Sequence, residues 1–378
     1  MQSANVRETF QSMHLSSVMA TVAAAAFVAG CAASSQGPPN ANVPFPPSQA
    51  TSVEPQVRNV VQALQPRPRL HFPLKAPGGS VGLWASLINF NYLVGQDKRN
   101  LRKTIFAIDT EATGCLFPNS VKVDHARNIW TACENSTTGR QSAYQEYNSE
   151  GTVVATYPTG PATNCPGSSF FGRGYDGASN ASNVIFLLYS TNCNAKSGAG
   201  YEFWPAGSPS TEPTLYIFPY GQPVQKLYFG DLDSNGNLWF DYYGCQRGRC
   251  GYGAAEEAAP FSSSPSMESI IAPGTKLACP GGVYASKAST VINIIDCVTR
   301  DVYQLDESGS QIRTLGPVSL LGYPYDGGFN QTDSAMAIGD SELDALEVGK
   351  VPANTWIVER GVYMATGLGG AAYTPSDK

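Results

Sequence analysis

Charge and histidine are the scarcest resources of this 378-residue chain. Only 14% of it is charged, and of three histidines only His125 lies beyond residue 80. Imidazole-based acid–base chemistry therefore has one candidate in that region. A net charge of −6 argues against nucleic acid, or an anionic membrane surface, as the main partner. Long apolar runs are missing too. The best, Ser17–Val28, falls short of the roughly 20 residues that a membrane-spanning helix needs. No G-x-S-x-G, H-E-x-x-H or phosphate-binding loop motif occurs. Val57, Val60, Val61 and Leu64 fall at i, i+3, i+4 and i+7, which suits one short amphipathic helix, with a disordered tether as the alternative. What is abundant is Gly (38), Pro (27) and Tyr (19), the balance of a loop-rich β protein.

The N-terminus carries the sharpest local pattern. Arg7 precedes the short apolar run, which closes on Val28-Ala29-Gly30-Cys31. That stretch resembles the lipobox of bacterial lipoprotein signal peptides. The resemblance implies cleavage before Cys31, lipid on its sulfur and an acyl chain on the new amine. Two or three chains anchor a protein firmly. Ala32, where an inner-membrane retention signal has Asp, resembles an outer-membrane address, with the periplasmic or surface side left open. Residues 36–47 (QGPPNANVPFPP) and 65–73 (QPRPRLHFP) read as extended spacer. The expected organisation is a signal peptide over 1–30, a lipidated cysteine and Pro-rich linker over 31–79, and a folded domain over 80–378.

That domain repeats itself. Asn128-Ile129-Trp130, Asn183-Val184-Ile185, Asn237-Leu238-Trp239, Thr290-Val291-Ile292 and Asp344-Ala345-Leu346 open short apolar strands spaced by 53 to 55 residues. Strand-like segments precede most of these anchors, at 120–124, 227–231 and 282–285. Hairpins follow, as in 143–147 with 152–156 and 302–306 with 311–315. Four short strands per unit at this period are the signature of a β-propeller blade. Five units are clear, and 81–109 supplies a sixth, with strands at 90–94 and 104–109. The expectation is an all-β propeller of six four-stranded blades, with five blades or a β-sandwich as alternatives.

Asp124–Trp130 (DHARNIW) and Asp233–Trp239 (DSNGNLW) resemble the D-x-x-G-N-[IL]-[WY] core of NHL-type propellers, the neighbourhood of virginiamycin B lyases and gluconolactonase-like proteins. Arg127 stands where that pattern has Gly. The resemblance implies a site in which a divalent metal is held by acidic and Asn side chains from several blades. Asp109, Asp124, Asp231 and Asp306 are candidates, although nothing in the sequence brings them together. No second histidine matches the lyases.

Eight cysteines remain besides Cys31, an even number suited to an oxidising compartment. Cys115 and Cys133 hold places in their repeat that Cys165 with Cys193, and Cys279 with Cys297, hold in theirs. These are expected disulfides, as is Cys245–Cys250 across a hairpin loop. A zinc site is the competing reading, and it lacks a second ligand pair.

Asp231, Asp233 and Asn235 match the first half of a calcium loop, so Ca²⁺ is the one cofactor the residues suggest, against an ordinary Ser-Asn-Gly turn. Tyr242, Tyr243, Tyr323 and Tyr325 are candidates for a binding surface, since Tyr suits peptide, glycan and protein contacts. The functional expectation is an exported lipoprotein, anchored to the membrane through Cys31, whose propeller binds a protein or glycan. The alternative is a metal-dependent lactonase- or lyase-like enzyme.

Overall fold

The computed structural model describes residues 81–136, 142–159, 174–180, 182–191, 198–205, 207–211, 213–218, 224–261, 266–286, 289–317, 324–330, 332–340, 345–351, 353–359 and 368–374. The lipobox-like stretch, Cys31 and the linker lie outside them.

The first strands are β1 (Val81–Leu87), β2 (Tyr92–Asp97) and β3 (Asn100–Asp109). β4 (Cys115–Pro118) and the two-residue β5 (Lys122–Val123) then line up beside β6 (Ile129–Ser136), followed by β7 (Ala143–Tyr147) and β8 (Val153–Pro158). The third sheet holds β9 (Gly177–Ser179), β10 (Asn183–Thr191), β11 (Gly198–Pro205) and β12 (Thr214–Ile217). The fourth holds β13 (Val224–Leu232), β14 (Leu238–Gln246), β15 (Arg249–Glu257) and β16 (Glu268–Ile271). The fifth holds β17 (Pro280–Ala285), β18 (Val291–Asp296), β19 (Val302–Asp306) and β20 (Gln311–Leu315). The sixth holds β21 (Pro324–Phe329), β22 (Ala335–Asp340), β23 (Ala345–Lys350) and β24 (Thr355–Glu359). Finally β25 (Leu368–Tyr373) returns to pair with β1, so the first blade has the order β25-β1-β2-β3.

This is a six-bladed β-propeller of antiparallel sheets. Its innermost strands β5, β9, β13, β17, β21 and β25 are neighbours around a hub. One twisted sheet leaves both faces wet, and radial packing buries them. Six apolar clusters do so, one per blade interface. Leu93 and Phe106 meet Ile129 and Tyr147 between the first and second blades. Trp130 and Tyr144 meet Phe186 and Trp204 in the next interface, and Leu187 and Tyr201 meet Phe240 and Tyr242 in the one after. Trp239 meets Val283 and Ile294, Ile295 meets Met336 and Ile338, and Ala337 and Leu346 close on Leu83 and Val94. Each large side chain so buried contributes about 1.5–3 kcal/mol.

The hairpin strands expected at 143–147, 302–306 and 311–315 coincide with β7, β19 and β20. The first four anchors open second strands of their blades, but Ala345 opens the third strand of the sixth blade. The second strand there is β22, six residues long like β23. In the first blade Phe90 belongs to a short 3₁₀ turn (Ile88–Phe90), and the strand begins at Tyr92.

Connections alternate between two faces. The starts of the inner strands share one face with the ends of the second strands. Cys115–Cys133, Cys279–Cys297 and Cys245–Cys250 are bonded there, which makes it the disulfide face. Cys165 and Cys193 fall outside the described residues. Closing a loop of 18 residues, as two of these bonds do, contributes about 3 kcal/mol by the chain-entropy argument.

Candidate functional site at the hub and its mouths

The opposite face carries the turns of the repeated motif. Asp124 Oδ1 accepts the Asn128 amide at 2.8 Å, and its Oδ2 accepts the indole N–H of Trp130 at 3.1 Å. Asp233 does the same, accepting Asn235 and Asn237 amides on Oδ1 and Trp239 Nε1 on Oδ2 at 3.0 Å. The motif's Gly sits at positive φ, 84° for Gly236, and Arg127 adopts φ 69° in its place. That conformation is strained for a residue with a Cβ, which explains why the pattern favours Gly. The motif has a third member that sequence reasoning missed. Asn128 donates to Glu146 on β7 at 2.6 Å and Asn237 to Glu256 on β15 at 2.7 Å. The recurrence of Glu 22 and 23 residues after the motif's Asp was the available signal. These aspartates are turn-builders whose oxygens are taken by N–H donors.

Four buried aspartates converge on the hub from other positions. Asp176 precedes β9, Asp231 lies on β13, Asp241 on β14 and Asp326 on β21. Among them lies Lys122 of β5. Its ammonium donates to Asp176 Oδ2 at 2.7 Å, to the Gly177 carbonyl at 2.8 Å and to the Gly230 carbonyl. Three donors thus meet three acceptors. The Lys122 side chain is 12% exposed and that of Asp176 0%. Burial alone would lower the Lys122 pKa, but Asp176, Asp231 and Asp326 outweigh it, and the pKa is raised. Burial also lifts Asp241 well above the carboxylate range. Asp326 is lifted likewise, by burial first and by repulsion from Asp176 second. Asp326 packs against backbone: a Cβ on Gly370 would lie 2.6 Å from its Oδ2.

Among the described residues the hub leaves little free space. A cavity of about 30 Å³ at the turn-face mouth is lined by Lys122, Asp124, Trp130, Asp231, Tyr284 and Tyr373, among others. It has room for one or two waters.

The sequence-predicted residues are not gathered into one site. Asp231 turns into the next blade, accepting the Ala285 amide on Oδ2 and the Leu232 amide on Oδ1, while Asp233 closes its own turn. Asn235 is exposed on that turn. Asp109 accepts the Ala112 amide and Asp306 the amides of Ser308 and Ser310, both in peripheral turns. His125 is exposed in the Asp124 turn. Among the described residues no group of three His, Cys, Asp or Glu is placed to hold a metal ion. The hub acids do not fit one either, because an ammonium already occupies the centre of their charge.

Tyr242 corrects an expectation. It is 0% exposed, packed among the core aromatics, with its hydroxyl 3.1 Å from Ser269 Oγ. Strand alternation explains this: Tyr242 faces the preceding blade and its neighbour Tyr243 the other side. Tyr243 is half-buried, edge-on to Tyr252 at 5.3 Å. Tyr323 and the side chain of Tyr325 lie outside the described residues. Lys122, Asp176 and Asp326 were missed altogether. Two Asp-Gly pairs, 176–177 and 326–327, opening inner strands were the only sequence signal for them.

The fold defines the class: the chain is a six-bladed β-propeller. Among solved structures it resembles a chain of the nidogen/laminin complex, with TM-score 0.55 and 10% identity, covering 79% of this chain and 100% of that one. Regucalcin, a calcium-binding protein of Agrobacterium tumefaciens, matches at TM-score 0.46 and 11% identity over 70% of this chain and 80% of its own. A protein assigned as a 6-phosphogluconolactonase, from Bacteroides uniformis, matches at 0.46 and 10% over 74% and 82%. These likenesses are of fold alone. No protein-family model matches the chain, and no curated protein does.

Proposed function

We propose that this protein is an exported, lipid-anchored propeller that binds a protein or glycan partner through its faces and rim. The observation that carries the reading is the hub. Lys122 is fully engaged by Asp176 and two backbone carbonyls where a channel site would need open, convergent ligands. The adjoining cavity of about 30 Å³ is far smaller than the roughly 300–1,000 Å³ of small-molecule sites. Export and anchoring are supported by the lipobox-like stretch ending in Cys31 and by three bonded cysteine pairs, which suit an oxidising compartment.

Two measurements test it. The intact mass of the protein extracted from membranes should correspond to a chain starting at Cys31 plus lipid, and the lipid mass should be absent from the Cys31→Ser variant. A thermal-shift screen of the oxidised protein should show no stabilisation by calcium or other divalent ions. Stabilisation by such an ion at modest concentration would overturn the binding reading in favour of a metal-dependent propeller enzyme.

A further inference from the structure

The acidic average of this chain conceals one strongly basic element. Lys98, Arg99, Arg102 and Lys103 place four of the 24 Lys and Arg residues within six positions of the β2–β3 hairpin. All four are exposed, and no acid occurs between Asp97 and Asp109. The remainder of the chain holds 20 cations against 30 acids. The hairpin's shape is fixed by its own side chains. Asp97 Oδ1 accepts the Arg99 amide at 2.8 Å, and Asn100 Oδ1 accepts the Arg102 amide at 3.1 Å. Leu101 packs against the cluster shared by the sixth and first blades, so the hairpin is seated on the body of the propeller.

The second observation is where this element lies. Val81, through which the chain runs back towards Cys31, pairs directly with Asp97. Lys98 lies over Gly82 so closely that a Cβ there would be 2.4 Å from Lys98 Cβ. The four cations therefore cluster at the point where the 48 linker residues join the domain.

We propose that this hairpin docks the propeller, first blade down, onto anionic phospholipid headgroups of the membrane that holds Cys31. The proposal rests on the lipid-anchored reading above. Each Lys or Arg brought to an anionic surface strengthens binding about fivefold. The tether supplies an effective concentration in the millimolar range, so a weak patch suffices. The acidic remainder is repelled from the same surface, which selects a single orientation.

The test uses the full mature chain with Cys31→Ser, so that no lipid contributes, sedimented with phosphatidylcholine vesicles with and without phosphatidylglycerol. Binding is expected only with phosphatidylglycerol and should be lost at high salt. Lys98→Gln with Arg99→Gln should weaken it about 25-fold. Both side chains are exposed, so the melting temperature should not change. Equal binding to neutral vesicles, no binding to either, or binding unaffected by the double substitution would overturn the proposal. So would retention on dextran sulfate without vesicle binding, which would make the hairpin a site for a soluble polyanion. The intact-mass measurement reports on Cys31 separately, so failure of lipidation and failure of docking give different results.

Discussion

Lys122 shows how far one residue can matter in a chain with few charges. A buried ammonium among carboxylates is costly to desolvate, and removing it leaves its partners uncompensated. Lys122→Met is expected to cost about 3–5 kcal/mol in chemical denaturation. Adding Asp176→Asn should recover part of that loss, because the residual charge at the hub falls. An unchanged midpoint for Lys122→Met would mean that the hub acids are neutral or solvated rather than paired. Nothing in the sequence marked this residue. Its neighbours Ser120 to Asp124 read as an apolar-alternating strand, and the partners Asp176 and Gly230 lie 54 and 108 positions away. Such a constellation is created by ring closure and has no local signature.

At the scale of the element, the D-x-x-x-N-[IL]-W turns were the most legible part of the chain, because their chemistry is local. One carboxylate, two amides and an indole fall within seven residues. Asp233→Ala would strand the buried Trp239 N–H and two turn amides. A loss of about 1–3 kcal/mol is expected, read as a lower melting temperature. Asp233→Asn, which keeps Oδ1 as an acceptor, should lose less. If Asp233 instead held a required calcium ion, chelator would reproduce the alanine phenotype in the wild-type protein. The same locality explains what was misread. Tyr242 and Tyr243 differ by one register step, and alternation alone does not say which faces the core. The fifth repeat anchor slipped by one strand because β22 and β23 are both short and apolar, with little to separate them but count.

For the whole molecule, period and cysteine placement made the six-blade architecture readable, while blade closure had to be seen. β25 pairs with β1, so the first blade is assembled from both ends of the domain. Deleting the residues from 368 onward removes an inner strand, with Leu368 and Ala371 of the core cluster. The shortened protein should not show a cooperative melt and should expose its free β1 edge to aggregation, as light scattering would report. A cooperative transition near that of the full chain would show that five blades and a remnant are self-sufficient.

The positive charge at the hub is part of the polypeptide. A bound ion comes and goes with its supply, and a scavenger can strip it away. A side-chain ammonium arrives with translation, in fixed proportion to the carboxylates it neutralises. At the hub, the charge that offsets the buried carboxylates is therefore made with the chain and is not gathered from its surroundings.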